Sequence, residues 1–364
     1  MKKILFYVTG HGFGHATRMQ ELVRAIEKMA PETEIHIHTN APEWFFSDPN
    51  SKRYVRYLDI DTGTTQLDCI KIDVMRSLHD YSDLICRRQS FLPQELSFIQ
   101  RNEIDCIVAD IPPAAFYIAH EAGIPAVGVA NFTWDWIFEP YIAQYSEYKY
   151  VLDDMRQGYA LAYSMLRLPF SGGFETAARC EDIPMIVRPP RMPVAEIRHK
   201  LGINHDQRPL ILCSFGGFQA HGLDLQAVAE TCGDYFFIGF GDDMIRFDNG
   251  MILPYRSEFD HPSLVDAADM VLSKLGYGTV AECVSLNKPL MYISRDDFRE
   301  YPVLRDAVEY HLESYCINLR DFFEGKWHTH IGRLLDKAAK RVSYPDCGTN
   351  GADVAAAYIL RLAD

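Results

Sequence analysis

Short apolar runs alternate with stretches of helical spacing from almost the first residue. Residues 4–9 read as a buried strand. After them Met19, Leu22, Val23, Ile26 and Met29 recur at helical spacing, with Gln20, Glu21, Arg24 and Glu27 between them, which predicts an amphipathic helix lying on a sheet. Residues 35–39 and 54–60 read as further strands and 62–68 as a loop. From 75 to 100 the helical pattern is expected to be divided at Pro93. A short strand over 105–109 ends at Asp110. A helix over 114–121 stops at Gly123, and a strand over 126–130 follows. This alternation predicts a parallel sheet covered on both faces.

Residues 131–136, NFTWDW, open an aromatic-rich helical region. The texture changes between Pro169 and Pro193, where prolines stand at 169, 184, 189, 190 and 193. Proline neither continues a helix nor favours one just upstream, so RPPRMP is the expected domain junction and 183–187 the last strand before it. The grammar then restarts. Strands are expected at 210–214, 235–240, 251–253, 270–272, 290–294 and 316–319, with helices at 224–230, after Pro262, from Thr279 and over 303–312, and two more at the end. The division expected is 1–188, 189–345 and a closing helix in 346–364 that packs back toward the first domain. Both domains are Rossmann-like, and the first loop of each would line the cleft between them.

At 364 residues the chain exceeds one typical core, in keeping with two domains. A formal net charge of -14 argues against a nucleic-acid partner, which needs a concentrated basic surface. A small anionic ligand is compatible with it. Nine cysteines without a CxxC pair read as reduced thiols of a cytoplasmic protein. The N-terminus reads as a first strand rather than a signal peptide, and no apolar stretch is long enough to span a membrane. Peripheral membrane contact and the oligomeric state are left open.

Three strand ends carry glycine-bearing loops: Gly10 to His15, Phe215 to Phe218, and Lys274 to Thr279. Glycines let the chain turn tightly and bring backbone amides close to a ligand, and a helix N-terminus attracts anions. The first loop carries Gly10, Gly12 and Gly14 but not GxGxxG, and GxxxxGK[ST] is absent, which disfavours a dehydrogenase and a P-loop kinase. His15, at a predicted helix start, is a candidate general base, and Asp110 could orient it or bind an acceptor hydroxyl. His11 and His15 do not read as a metal pair, because glycines interrupt the helix that would align them. Trp134 and Trp136 could stack on a sugar ring or pack in the core.

GHGFGHATR at 10–18, NFTWDW at 131–136, SFGG at 214–217, ADMVLSKLGYGTVAEC ending at Cys283, FREYP at 298–302 and the terminal NGADVAAAYI together resemble the glycosyltransferase-like N-terminal domain of L-arabinokinases and related single-function bacterial proteins. More broadly they resemble GT-B nucleotide-sugar glycosyltransferases. The resemblance implies a GT-B α/β architecture, with the acceptor on the first domain and a nucleoside diphosphate sugar mostly on the second. It places His15 near the reacting oxygen. It also implies donor diphosphate contacts from Gly216, Gly217, Gly278 and Thr279, base contact at Tyr255, and ribose or sugar contacts at Glu282 and Glu300, while Gly12, Gly14 and Gly276 are binding candidates from the glycine loops themselves. The expected activity is metal-independent sugar transfer from a nucleoside diphosphate sugar to a hydroxyl-bearing acceptor, with no resident cofactor. A sugar-nucleotide epimerase or hydrolase and a noncatalytic sugar-nucleotide-binding protein are the alternatives.

Overall fold

The computed structural model describes residues 1–48, 51–67, 71–215, 223–295, 298–341 and 346–363. Within them the chain forms β1 (Lys3–Val8), α1 (Phe13–Met29), β2 (Glu34–Thr39), β3 (Arg53–Tyr57), α2 (Val74–Asn102), β4 (Cys106–Asp110), α3 (Pro113–Ala122), β5 (Ala126–Phe132), α4 (Trp134–Gln144), α5 (Lys149–Ala160), β6 (Ser164–Gly172) and β7 (Cys180–Asp182). The second half forms α6 (Val194–Lys200), β8 (Leu210–Ser214), α7 (Leu225–Thr231), β9 (Phe236–Gly241), β10 (Ile245–Phe247), β11 (Gly250–Pro254), α8 (His261–Ala267), β12 (Met270–Lys274), α9 (Tyr277–Leu286), β13 (Leu290–Ile293), α10 (Glu300–His311), β14 (Ser314–Ile317), α11 (Leu319–Phe323), α12 (His328–Ala338) and α13 (Gly351–Leu362).

The strands gather into two seven-stranded sheets, ordered β3-β2-β1-β4-β5-β6-β7 and β10-β11-β9-β8-β12-β13-β14. Every described pairing is parallel except β10 with β11. Alternate residues of one strand feed opposite cores: Ile4, Phe6 and Val8 pack toward α1, while Leu5 and Tyr7 pack toward α2 and α3. The core on the α1 side takes in residues of α13, α8 and α9, with α1 packed against α9, so apolar packing joins the two lobes. Helix α13 lies against the first lobe. Gly351 N donates to Met185 O at 3.0 Å, Tyr358 OH to Ser164 Oγ at 2.8 Å, and Lys2 Nζ to Leu360 O. No helix among the described residues is long and apolar enough to cross a membrane.

Several local expectations are corrected. Helix α2 runs unbroken through Pro93. Glu95, just beyond the proline and fully buried, accepts from Tyr7 OH at 2.7 Å and Arg56 Nη1 at 2.9 Å and lies 2.7 Å from His38 Nδ1. These bonds fasten the second half of the helix to the sheet and outweigh the one bond that proline removes. The last strand of the first sheet is β7, not 183–187: Pro184 lacks an N–H for a ladder, and Met185 and Ile186 instead meet the chain at Gly348 and Asn350. Strand β6 escapes the hydrophobic pattern, since Pro169 and Gly172 disguise it.

Candidate functional site

Strands β1 and β4 are neighbours in register, with Val8 opposite Asp110, so the loop after β1 opens beside the end of β4. Gly12, at φ 77°, ends that loop in a conformation that side chains disfavour and starts α1. His15 is the third residue of α1, and its Nδ1 lies 2.9 Å from Asp110 Oδ1. Both are buried.

Arg18, one turn further along α1, completes the cluster. Its Nε donates to Asp110 Oδ2 at 3.0 Å, and its Nη2 to Oδ1 and Oδ2 at 2.7 and 2.8 Å. Burial alone would push Asp110 up, but the Arg18 guanidinium and His15 hold it below its ordinary range. An ionised carboxylate only accepts, so His15 Nδ1 carries a proton, and in the neutral imidazole Nε2 is then bare. Arg18 Nη2 also sits 3.1 Å from Nδ1, but its hydrogens are spent on the two shorter contacts to Asp110.

Arg18 Nη1 donates to Asn131 Oδ1 at 2.9 Å, and Asn131 Nδ2 donates to Glu300 Oε1 at 2.6 Å. Glu300 is the first residue of α10, so this buried chain crosses from one lobe to the other. Burial raises the Glu300 carboxyl above its usual value, and the Asn131 bond opposes the rise.

The second lobe brings the N-terminus of α9 to the same place. The helix starts at Tyr277, two residues before Thr279, and its N-cap is Gly276, with no side-chain cap. Thr279 is therefore inside the first turn and is not its cap. Helix α1 likewise has no side-chain cap at Gly12. The two glycine loops meet: a Cβ on Gly278 would lie 3.6 Å from Gly14 Cα. Two helix starts with free amides thus face one cleft, the geometry that favours an anion. Tyr277, whose OH is buried without a hydrogen-bond partner among the described residues, lies with its ring under Arg18, 5.3 Å from the guanidinium carbon.

The cleft has a volume of about 890 Å³. Gly12, Gly14, His15, Tyr255, Gly276, Gly278, Thr279, Glu282 and Glu300 all line it. Asp110 stands behind His15 rather than on the wall, and Gly216 and Gly217 lie outside the described residues. Tyr255 stacks with Phe240 at 6.3 Å between ring centres and 14° between planes. Glu282 is committed on both oxygens, to Arg188 and to His261.

Trp134 and Trp136 are not on the wall. Trp134 is fully buried, its Nε1 donating to Asp61 Oδ2 at 3.0 Å, and Trp136 lies under Arg299. His11 does reach the cleft, where burial first, then His15, Arg295 and Lys274, hold its pKa well below the usual value. Among the described residues no group of three or more His, Cys, Asp or Glu is arranged to hold a metal. Sequence reasoning missed Arg18 and Asn131 as members of the site; their signal was the i,i+3 spacing from His15 and the position at the end of β5.

No protein-family model matches the chain. Over 358 residues it is 31% identical to an L-arabinokinase of Arabidopsis thaliana, a match that covers 96% of this chain and 33% of that protein. The chain thus spans about a third of the length of the curated relative it matches. Among solved structures, UGT2 of Phytolacca americana, complexed with UDP-2-fluoro-glucose and pterostilbene, superposes with a TM-score of 0.64 at 13% identity, over 100% of both chains. The calicheamicin glycosyltransferase CalG4 gives 0.63 at 14% identity, over 99% of this chain and 98% of its own. A Listeria monocytogenes protein assigned as a UDP-N-acetylglucosamine 2-epimerase gives 0.58 at 14% identity, over 99% of this chain and 94% of its own. At these identities the likeness establishes the fold, which is GT-B: two Rossmann-type lobes across a cleft.

Proposed function

We propose that the chain is a glycosyltransferase that moves a sugar from a nucleoside diphosphate sugar to a hydroxyl-bearing acceptor. The observation that carries the reading is the convergence, in one cleft, of an oriented imidazole and two helix starts with no side-chain cap, N-capped by Gly12 and Gly276 and touching at Gly14 and Gly278. His15 Nε2 takes the acceptor proton as the acceptor oxygen bonds to the anomeric carbon and the bond to the diphosphate breaks. Asp110 holds Nδ1–H and stabilises the imidazolium that forms. The α9 amides, with those of the Gly12 loop, offset charge on the departing diphosphate, and none of these steps calls on a metal. We take residues 1–188 as the acceptor side, 189–345 as the donor side and 346–364 as the closing helix.

A second reading, a sugar-nucleotide epimerase or hydrolase, draws on one observation: Glu300 is a buried carboxyl pushed toward its protonated form, held on the opposite lobe from His15. Such a pair could exchange protons with a single bound sugar nucleotide. Product analysis separates the readings. A nucleotide sugar that the protein binds is incubated with and without a panel of hydroxyl acceptors, and the sugar-containing products are separated by chromatography and identified by mass. Transfer predicts a new mass that depends on acceptor and is lost in His15→Ala. An isomer of unchanged mass, or free sugar formed at the same rate with or without acceptor, would replace the proposal with the second reading.

A further inference from the structure

Ser214, at the end of β8, His261, the first residue of α8, and Glu282, within α9, meet on the second lobe's wall of the cleft. Ser214 Oγ is 2.8 Å from His261 Nε2, and His261 Nδ1 is 2.6 Å from Glu282 Oε2. The other Glu282 oxygen accepts from Arg188 Nη2 at 2.7 Å. Burial opposes charge on Glu282, but Arg188 and His261 overcome it and hold the carboxyl at about 2. Glu282 is therefore an acceptor only, and His261 Nδ1 must carry a proton.

That fixes the rest. In the neutral imidazole Nε2 is bare and accepts the Ser214 hydroxyl. The serine's single hydrogen then points inward, and its lone pairs face the cleft, where they repel a phosphate oxygen. One added proton on Nε2 reverses the bond: Ser214 accepts from Nε2–H and turns its own hydrogen outward as a donor.

We infer that Ser214 and His261 form a proton-linked anchor for the diphosphate of a nucleotide sugar, binding of the anion drawing a proton onto His261 Nε2 and turning Ser214 into a donor. The inference rests on the nucleotide-sugar reading above. Histidine suits the task because its ordinary pKa lies near working pH. The charged groups around His261 are Glu282, Arg188 and Asp260. Glu282 is matched by Arg188, and Asp260, just before it, is spent on the N–H and hydroxyl of Ser263. Phe240 presents its ring 6.0 Å from the imidazole, and Glu21 on α1 is within electrostatic reach of Arg188 and Asp260.

Isothermal titration calorimetry with UDP-glucose, GDP-mannose, ADP-glucose and dTDP-glucose tests the anchor, because their diphosphate diesters gain and lose no proton near neutrality. Each is titrated in buffers of differing ionisation enthalpy, from about pH 6.5 to about pH 8.5, across the ordinary histidine range. The expected result is uptake that rises toward one proton per probe bound as pH increases, with affinity falling by up to about tenfold per pH unit at the alkaline end. His261→Gln, and Ser214→Ala as a second, smaller change, should still bind the probe with the uptake lost or sharply reduced. Binding with equal enthalpy in every buffer, or undiminished uptake in both variants, would overturn the anchor while leaving the nucleotide-sugar reading intact. Binding of none of the four would remove that reading, and the anchor with it.

Discussion

Asp110 and His15 are held in one cluster but answer to different assays. Asp110→Ala leaves the buried Arg18 guanidinium without its partner and should cost about 3–5 kcal/mol in urea unfolding at neutral pH. His15→Ala leaves the Arg18–Asp110 pair in place. It should change stability far less, while lowering turnover by roughly 10²–10⁴-fold. A His15→Ala protein with undiminished turnover would remove the imidazole from the chemistry. Glu282 gives a pH test. Its folded value of about 2 lies below the roughly 4.3 of a free glutamate, so its contribution, on the order of 3 kcal/mol, is fully present above pH ~4.3 and is lost as pH falls toward 2. The stability gap between the wild type and Glu282→Gln, followed by denaturation against pH, should therefore close on acidification. A gap that widens would contradict the assigned ion pairs. His15 and Asp110 were legible in the sequence because each stands where a predicted strand gives way to a helix. The Ser214–His261–Glu282 relay was not, because its members lie 47 and 21 positions apart and only the parallel order of β8, β9 and β12 brings them together.

At the scale of elements, the starts of α1 and α9 matter more than their lengths. A Cβ on Gly278 meets Gly14 Cα at an ordinary contact distance of 3.6 Å, so Gly278→Ala should keep unfolding free energy within about 1 kcal/mol of the wild type. Its methyl sits in the amide cradle, so nucleotide-sugar affinity should fall about tenfold, a change of ~1.4 kcal/mol that calorimetry resolves. Unchanged affinity would move the diphosphate away from this helix start. Gly351, at the head of α13, is the opposite case: a Cβ there would lie 2.0 Å from Pro184 O and 2.7 Å from Met185 O, both backbone. Gly351→Ala should cost about 1–3 kcal/mol in thermal or urea unfolding, because the helix must shift off residues 184–186. Periodicity located the long amphipathic helices and the buried strands. It failed where a local rule was overridden by a tertiary bond, as at Pro93 next to buried Glu95, or where prolines disguised a strand, as in β6.

For the molecule as a whole, the cleft is a seam held by specific bridges. Glu300 accepts from Asn131, and Arg299 donates to Trp136 O and Glu139 Oε2, each at 2.7 Å. Lys274 Nζ stands 3.5 Å from Gln66 Oε1. The sequence suggested two facing lobes from its repeated strand-and-helix grammar, but no pattern in it could say which side chains would span the gap, since those pairs join residues more than 150 positions apart. A ligand that fills the cleft touches both lobes and should stabilise the whole chain. The most direct measurement is a thermal-shift screen of the purified protein against ADP-, GDP-, UDP- and dTDP-sugars. The account predicts that one nucleotide series raises the midpoint, in keeping with ~2.7 kcal/mol at a hundredfold excess over Kd, and that Gly278→Ala blunts the rise. A folded sample whose midpoint is unmoved by every nucleotide sugar would contradict the assignment of the cleft.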